Sequence, residues 1–233
     1  MIRAMLRAIL FDFNGVLVDD EPVHLELFQE IFRREGVEVS SADYYARLIG
    51  LDDRGCFRTV LEEAGQAAGP ERLAELIARK SALYDRWVRE RGFPFFPGAA
   101  ELVADVAGEL ALGVVSGALR GEVEAALEEL GVRRHFRSVV AAEDVAAAKP
   151  DPEGYRRGLE LLNSRPPRPA PPIAPRETLA IEDTPAGLAA AAAAGLATLG
   201  VAQTCPAVEL ASADRVVESV SGLDRRRLQS WFA

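Results

Sequence analysis

Short apolar segments that end in polar side chains are the feature that most restricts the fold of this chain. Residues 6–11, 112–115 and 178–181 are apolar runs of strand length, and segments with helical spacing follow them. Strands that alternate with helices form parallel sheets with helices on both faces. The sequence therefore predicts an α/β fold with a Rossmann-like parallel sheet.

Residues 18–94 interrupt this alternation. Their apolar residues recur at helical spacing between Gly and Pro breaks, and no part of the segment has a convincing strand pattern. An all-helical segment of this length after one strand indicates an inserted domain rather than an ordinary crossover. We therefore predict an α/β core over residues 1–17 and 95–233 and an inserted helical domain over residues 18–94.

The composition restricts the partners of the chain. The formal net charge of −9 disfavours nucleic acid, because binding to a phosphate backbone requires a basic surface. No run approaches the ~18 continuous apolar residues of a membrane span, and the N-terminal residues carry an acid too early for a secretory signal. We expect no nucleic-acid or membrane partner and a cytoplasmic location. The sequence does not determine the oligomeric state, and a monomer is favoured.

A proline-rich stretch, SRPPRPAPPIAPRE, occupies residues 164–177. Its proline density predicts an extended connector on the surface without internal hydrogen bonds. A role as a proline-motif ligand is the alternative.

Polar residues follow the predicted strands at four places. They are Asp12 with Asn14, Ser116, Lys149 after a less regular segment, and Glu182 with Asp183. Parallel α/β sheets bind ligands at the carboxyl ends of their strands, so we expect these side chains to lie close together. A carboxylate nucleophile, paired carboxylates for a cation, a hydroxyl and an ammonium group are what phosphoryl transfer requires. Taken singly, the same residues could instead be a helix cap, an exposed charge or a helix start.

Four motifs resemble, in order, those of the haloacid dehalogenase superfamily: FDFNGVL, VVSG, AKPDP and IEDTPAG. The helical insertion resembles the helical cap of that superfamily. Residues 19–28, 79–84 and 95–98 are similar to its β-phosphoglucomutase and phosphoglycolate phosphatase-like branch. The resemblance implies a Mg²⁺-dependent hydrolase that acts on a small phosphorylated metabolite such as a sugar phosphate.

The resemblance also implies a role for each matching residue of the core. Asp12 would form an aspartyl-phosphate, Ser116 and Lys149 would bind the transferring phosphoryl group, and Gly117 would contact the substrate. The implied Mg²⁺ ligands are Asp12, the main-chain carbonyl of Asn14, Glu182 and Asp183.

The resemblance places substrate choice in the cap. We expect contacts with the substrate at Gly50, Arg54 and Lys80. Arg54 could instead be a solvated charge at a helix start.

Asn14 departs from the family pattern, in which an Asp two residues after the nucleophile protonates the leaving group and later activates water. Asn cannot exchange a proton at neutral pH, and loss of a general acid-base costs ~10² to 10⁴-fold in rate. His24 could supply the proton, because its unperturbed pKa lies nearest neutrality. It could equally be a packing or hinge residue.

Two other functions fit the same substitution. The chain could be a catalytically weakened phosphate-binding protein, or a phosphonatase that cleaves C–P bonds through a Schiff base on Lys80. Dehalogenases also lack an acid at this position, but they need no metal, so the pair Glu182 and Asp183 counts against that reaction.

Overall fold

The computed structural model describes residues 5–49 and 51–232. Contacts divide the chain into two compact units, one of Met1–Asp19 with Phe95–Ala233 and one of Asp20–Pro94. No helix in the described ranges is long and apolar enough to cross a membrane.

One parallel sheet, of six strands among the described residues, forms the centre of the first unit. The strands are β1 (Ala8–Phe11), β2 (Ala111–Val115), β3 (Phe136–Val140), β4 (Thr178–Glu182), β5 (Ala197–Val201) and β6 (Arg215–Val217). Their order is β3-β2-β1-β4-β5-β6. Every residue of β1, β2 and β4 is buried, as expected for strands that helices cover on both faces. The predicted Rossmann-like α/β fold is confirmed.

Helices make up most of the remaining regular structure. Those of the second unit are α1 (Glu21–Arg34), α2 (Ser41–Asp43), α3 (Asp53–Glu63) and α4 (Pro70–Arg91). Those of the first unit are α5 (Ala99–Val106), α6 (Arg120–Glu129), α7 (Glu153–Ser164), α8 (Pro185–Ala193) and α9 (Arg225–Phe232). Helices α7 and α8 pack on the sheet over a buried apolar cluster that includes Leu10 and Tyr155.

The strand order places a crevice between β1 and β4. Phe11 pairs with Val114 of β2 on one side and with Ile181 of β4 on the other. The chain adds β2 and β3 on one side of β1 and then β4, β5 and β6 on the other, so the order of the strands reverses at β1. Open α/β sheets bind ligands at such a switch point. The polar residues that follow β1 and β4 therefore lie at this crevice.

The proline-rich residues 164–177 differ from the prediction in one respect. Arg168 Nε donates to the Ser164 carbonyl at 3.0 Å, and the Ala174 amide donates to Glu177 Oε2 at 2.9 Å. The Glu177 amide also donates to the Ala174 carbonyl at 2.9 Å. The expectation of no internal hydrogen bonds is therefore wrong, because the residues of the segment that are not proline keep backbone groups that can bond. Arg7 also donates to the carbonyl of Pro171 at 2.7 Å, which holds the segment beside the start of β1.

The second unit is helical, with an aromatic centre. Asp52 begins α3 by accepting a hydrogen bond from the Gly55 amide at 2.8 Å, as an N-cap residue does. The ring centroid of Phe57 lies 5.1 Å from that of Phe28 and 5.3 Å from that of Phe32. These rings join α1 to α3, while α4 packs against both helices.

We expect Phe57→Ala to lower the free energy of unfolding of the helical unit by about 3–5 kcal/mol, because it leaves a cavity among the aromatic rings. Phe57 is fully buried, whereas its neighbour Arg58 is exposed on the same helix. Arg58→Ala is therefore the matched control. Urea denaturation followed by circular dichroism measures both variants, and equal costs would contradict the assigned packing.

Candidate active site

Asp12 follows β1 directly and lies at the crevice beside β4. Its amide donates to the carbonyl of Ile181 at 2.9 Å, so the backbone keeps the sheet geometry as far as this residue. Its side chain is buried, with 8 % of the residue exposed. The strand therefore holds one carboxylate at a fixed position where ligands bind in this fold.

Lys149 is placed between two carboxylates. Its Nζ lies 2.7 Å from Asp12 Oδ1 and 2.6 Å from Glu182 Oε1. Removal from water opposes the charge of the ammonium group, but the two carboxylates outweigh that effect and raise the pKa of Lys149 above its ordinary value. Lys149 is therefore a fixed positive charge in the site.

Glu182 ends β4 and is fully buried. Its Oε1 accepts hydrogen bonds from Lys149 and from the Tyr155 hydroxyl. Burial and then the charge of Asp12 raise the pKa of Glu182 to about 7, against the opposing effects of Lys149 and Tyr155. Its Oε2 is buried and has no hydrogen-bond partner among the described residues.

The three acids of the crevice form a group suited to a metal ion. One oxygen from each of Asp12, Glu182 and Asp183 lies within 4.8 Å of the others. Within the described part of the site, these carboxylates, when ionised, exceed the positive charge of Lys149 by two. A divalent cation would neutralise that excess and would give the open Oε2 of Glu182 a partner. Carboxylate oxygens are hard ligands of the kind that Mg²⁺ prefers.

Ser116 and Asn14 meet at the same end of the sheet. Ser116 Oγ lies 3.5 Å from Asn14 Oδ1, a long contact, and accepts a hydrogen bond from the Ala118 amide at 2.9 Å. Gly117 follows Ser116 and is exposed. A hydroxyl and an uncharged amide therefore adjoin each other in the loops after β2 and β1.

The loop after β1 passes close to Asp183. Gly15 has a φ of +75°, and a Cβ at this position would lie 1.8 Å from Asp183 Oδ2, so only glycine fits. Gln203 holds the loop by donating to the Gly15 carbonyl at 2.9 Å and by accepting from the Val220 amide at 2.8 Å. The position of Asn14 is thus tied to the segments that follow β5 and β6.

Lys80 and Arg54, two of the predicted substrate contacts, lie in the helical unit. Lys80 is buried in α4, with its Nζ 2.5 Å from Asp53 Oδ1 and 4.4 Å from the centroid of the Phe28 ring. Arg54 is exposed in the first turn of α3. Gly50, the third predicted contact, lies outside the described residues.

His24 lies in the first turn of α1. Its Nε2 is 3.3 Å from Asp20 Oδ2, and its ring stacks on Tyr84 with 4.9 Å between centroids. Tyr84 in turn donates to Asp20 Oδ2 at 2.5 Å. A carboxylate and an aromatic ring thus fix the orientation of the imidazole, which both a packing role and a proton-donor role require.

Sequence reasoning missed three residues of the core site, Tyr155, Gln203 and Gly187. Burial, and next the charge of Glu182, raise the pKa of Tyr155 well above its ordinary value, so its hydroxyl stays a donor. Gly187 lies against Glu182, because a Cβ there would be 2.0 Å from Oε2. Only Gly187 carried a signal in the sequence, since a glycine inside a helical segment can mark a close approach.

Comparison with known proteins identifies similar chains. A family model for haloacid dehalogenase-like hydrolases matches residues 6–195. Validoxylamine A 7′-phosphate phosphatase of Streptomyces hygroscopicus subsp. limoneus is 30% identical, over 93% of this chain and 95% of that protein.

Solved structures of similar fold cover nearly the whole chain. β-Phosphoglucomutase of Clostridium difficile has a TM-score of 0.84 at 22% identity and covers 98% of this chain and 97% of its own, a likeness of fold. An aspartate-to-asparagine mutant of CbbY from Rhodobacter sphaeroides, in complex with xylulose-(1,5)bisphosphate, has a TM-score of 0.79 at 28% identity. That match covers 94% of this chain and 96% of the other.

We expect Gly187→Ala to destabilise the protein by about 1–3 kcal/mol, because the added methyl group overpacks the buried carboxylate of Glu182. Gly121→Ala is the matched control, since it lies in the first turn of α6 and a Cβ there meets nothing within 4 Å. The control should be neutral or gain about 0.4–1 kcal/mol. Chemical denaturation compares the two, and a Gly187→Ala variant as stable as wild type would contradict the close approach.

Proposed function

Because the chain belongs to the haloacid dehalogenase-like hydrolase family, as its motifs predicted, we propose that it transfers phosphoryl groups from a small phosphorylated metabolite to Asp12 with the help of Mg²⁺. The chain is an enzyme of the phosphatase or phosphomutase type. The proposal of Mg²⁺-assisted transfer to Asp12 rests on the buried ion pair of Asp12 with Lys149 beside the acids Glu182 and Asp183.

Asp12 is the nucleophile in this proposal. A carboxylate oxygen of Asp12, whose Oδ1 pairs with Lys149, attacks the phosphorus atom. The attack forms an aspartyl-phosphate and breaks the bond between phosphorus and the leaving-group oxygen, which keeps the electron pair and takes up a proton. Water then attacks the phosphorus, releases phosphate and restores the carboxylate, whereas in a mutase a second hydroxyl takes the place of water.

Lys149 and Ser116 stabilise the transferring group. Phosphoryl transfer spreads negative charge over the equatorial oxygens of phosphorus, and fixed positive charges and hydrogen-bond donors stabilise that charge. The raised pKa of Lys149 keeps its ammonium group charged. The Ser116 hydroxyl is held by the Ala118 amide, so little reorganisation is needed for it to donate to a phosphoryl oxygen.

Asp12, Glu182, Asp183 and the main-chain carbonyl of Asn14 would hold the Mg²⁺ ion. The excess of negative charge in the site and the open Oε2 of Glu182 support this assignment. When bound, the ion supplies positive charge that neutralises the phosphoryl oxygens and lowers their repulsion of the Asp12 carboxylate.

Asn14 limits the acid-base chemistry of the proposed site. An amide cannot protonate the leaving oxygen or remove a proton from water. Leaving groups that depart as stable anions need no such proton, whereas alkoxides do. The enzyme is therefore proposed to be slow on alkyl phosphates and less impaired on substrates with good leaving groups.

The proposed substrates are sugar phosphates or similar phosphoesters. Two similar proteins support this class. One is named as a phosphatase of validoxylamine A 7′-phosphate, and the CbbY mutant is in complex with xylulose-(1,5)bisphosphate. Gly50, Arg54 and Lys80 remain the proposed specificity residues of the helical unit. Lys80 would have to exchange Asp53 for a substrate phosphate in order to act as a contact.

Two other functions remain as alternatives. A weakened phosphate-binding protein is favoured by Asn14, because binding survives the loss of a proton donor. A phosphonatase would need a neutral amine on Lys80 to form a Schiff base. The ion pair of Lys80 with Asp53 counts against that reaction.

We expect wild type to bind beryllium fluoride in the presence of Mg²⁺ and to hydrolyse phosphoesters, and Asp12→Asn to lose turnover by a factor on the order of 10⁴ to 10⁶. Fluorine NMR and a phosphate-release assay measure the two properties. Glu128→Gln, an exposed acid on α6, is the control and should behave as wild type. Binding without turnover would favour the phosphate-binding protein, and full turnover by Asp12→Asn would refute the proposed nucleophile.

We expect Asn14→Asp to speed hydrolysis of alkyl phosphates by about 10² to 10⁴-fold, because it restores a proton donor. The gain should be smaller for p-nitrophenyl phosphate, whose leaving group needs no proton. Steady-state kinetics on both substrates test this dependence on the leaving group. An equal gain on both would show that the new carboxylate acts in some way other than proton transfer.

His24→Ala in the same assay decides whether His24 supplies the missing proton in wild type. His135→Ala, in the other unit, is the matched control. If His24→Ala leaves wild-type turnover unchanged, His24 has a packing role only.

A further inference from the structure

Tyr155 is a core residue whose polar end reaches the active site. It lies in the first turn of α7, is fully buried and belongs to the apolar cluster between this helix and the sheet. Its hydroxyl donates to Glu182 Oε1. Phenylalanine would fill the same apolar space, so packing alone does not account for a hydroxyl at this place.

Contacts on one oxygen and close packing restrict the carboxylate of Glu182. Tyr155 and Lys149 both donate to Oε1, with Lys149 at 2.6 Å, and the carboxylate packs against Gly187, where a Cβ would lie 2.0 Å from Oε2. Lys149 Nζ also lies 5.5 Å from the centroid of the Tyr155 ring, within the range of a cation–π contact. Tyr155 therefore contacts both Glu182 and the ammonium group of Lys149.

We propose that Tyr155 is a positioning residue of the metal site: its hydroxyl fixes the carboxylate of Glu182 toward Asp12 and Asp183, so that a divalent cation binds without reordering the acid. This inference rests on the proposed function, because it assumes that Glu182 is a metal ligand. Hydrogen-bond partners of metal ligands typically change metal affinity by 10- to 100-fold when they are removed, because they orient the ligands.

Calorimetric titration of the full chain with MgCl₂ tests the proposal. Tyr155→Phe removes one oxygen atom and should weaken Mg²⁺ binding by about 10- to 100-fold. Tyr44→Phe is the matched control, since Tyr44 is a second buried tyrosine, bonded to Glu21 at 2.5 Å in the helical unit, and its loss should leave Mg²⁺ affinity unchanged. In a Glu182→Gln background, Tyr155→Phe should have no further effect on affinity.

The outcomes separate the two proposals. If Tyr155→Phe lowers the melting temperature but leaves Mg²⁺ affinity at the wild-type value, while Glu182→Gln weakens binding, Tyr155 has a structural role and the inference is overturned. If wild type and Glu182→Gln bind Mg²⁺ equally, the metal site itself is misassigned and both proposals fall.

A measurement on the wild-type chain covers the case in which Tyr155→Phe does not fold. The chain has four tyrosines, so ¹³C labelling of the ring carbon that bears the hydroxyl gives four signals. Phenylalanine substitutions at Tyr44, Tyr45 and Tyr84 assign them by elimination. MgCl₂ should shift the Tyr155 signal, because a cation on Glu182 weakens its hydrogen bond, and should leave Tyr44 unmoved. An unmoved Tyr155 signal at saturating Mg²⁺ would overturn the inference.

Discussion

The contact of Lys149 with two buried carboxylates is the interaction on which the site depends. Asp12 directly follows β1, and Glu182 is the last residue of the neighbouring strand β4. Because parallel strands are only ~4.8 Å apart, they bring these two negative charges close together. Burial, and next the charge of Asp12, raise the pKa of Glu182 to about 7. Lys149 bonds to both at once. It offsets part of the repulsion, and the negative charge that remains would attract the proposed cation.

The close approach of these groups depends on what surrounds them. Gly15 and Gly187 have no Cβ where one would collide with Asp183 and Glu182. Tyr155 extends from the hydrophobic core to the same carboxylate. The acids are thus held by the packing of the core and not by mobile surface loops, and a preorganised charge arrangement of this kind lowers the cost of reorganisation during reaction.

The strands and their polar ends could be predicted because apolar runs and their interruption are local properties of the sequence. The predicted run 112–115 and the observed β2, Ala111–Val115, differ by one residue. Tyr155 and Gln203 could not be predicted, because their partners lie 27 and 188 positions away along the chain. The ion pair that buries Lys80 likewise depends on the packing of α3 on α4, which no local pattern encodes.

The uncharged side chain of Asn14 affects the net charge of the same site. An aspartate at this position would add a carboxylate to a site whose acids, when ionised, already exceed the charge of Lys149 by two. The amide keeps the size of the side chain and the main-chain carbonyl but removes that charge, so a phosphate dianion meets less repulsion as it approaches. The same change removes the proton that a poor leaving group needs. In the proposed reaction, the amide at position 14 therefore favours the binding of phosphate at the expense of turnover.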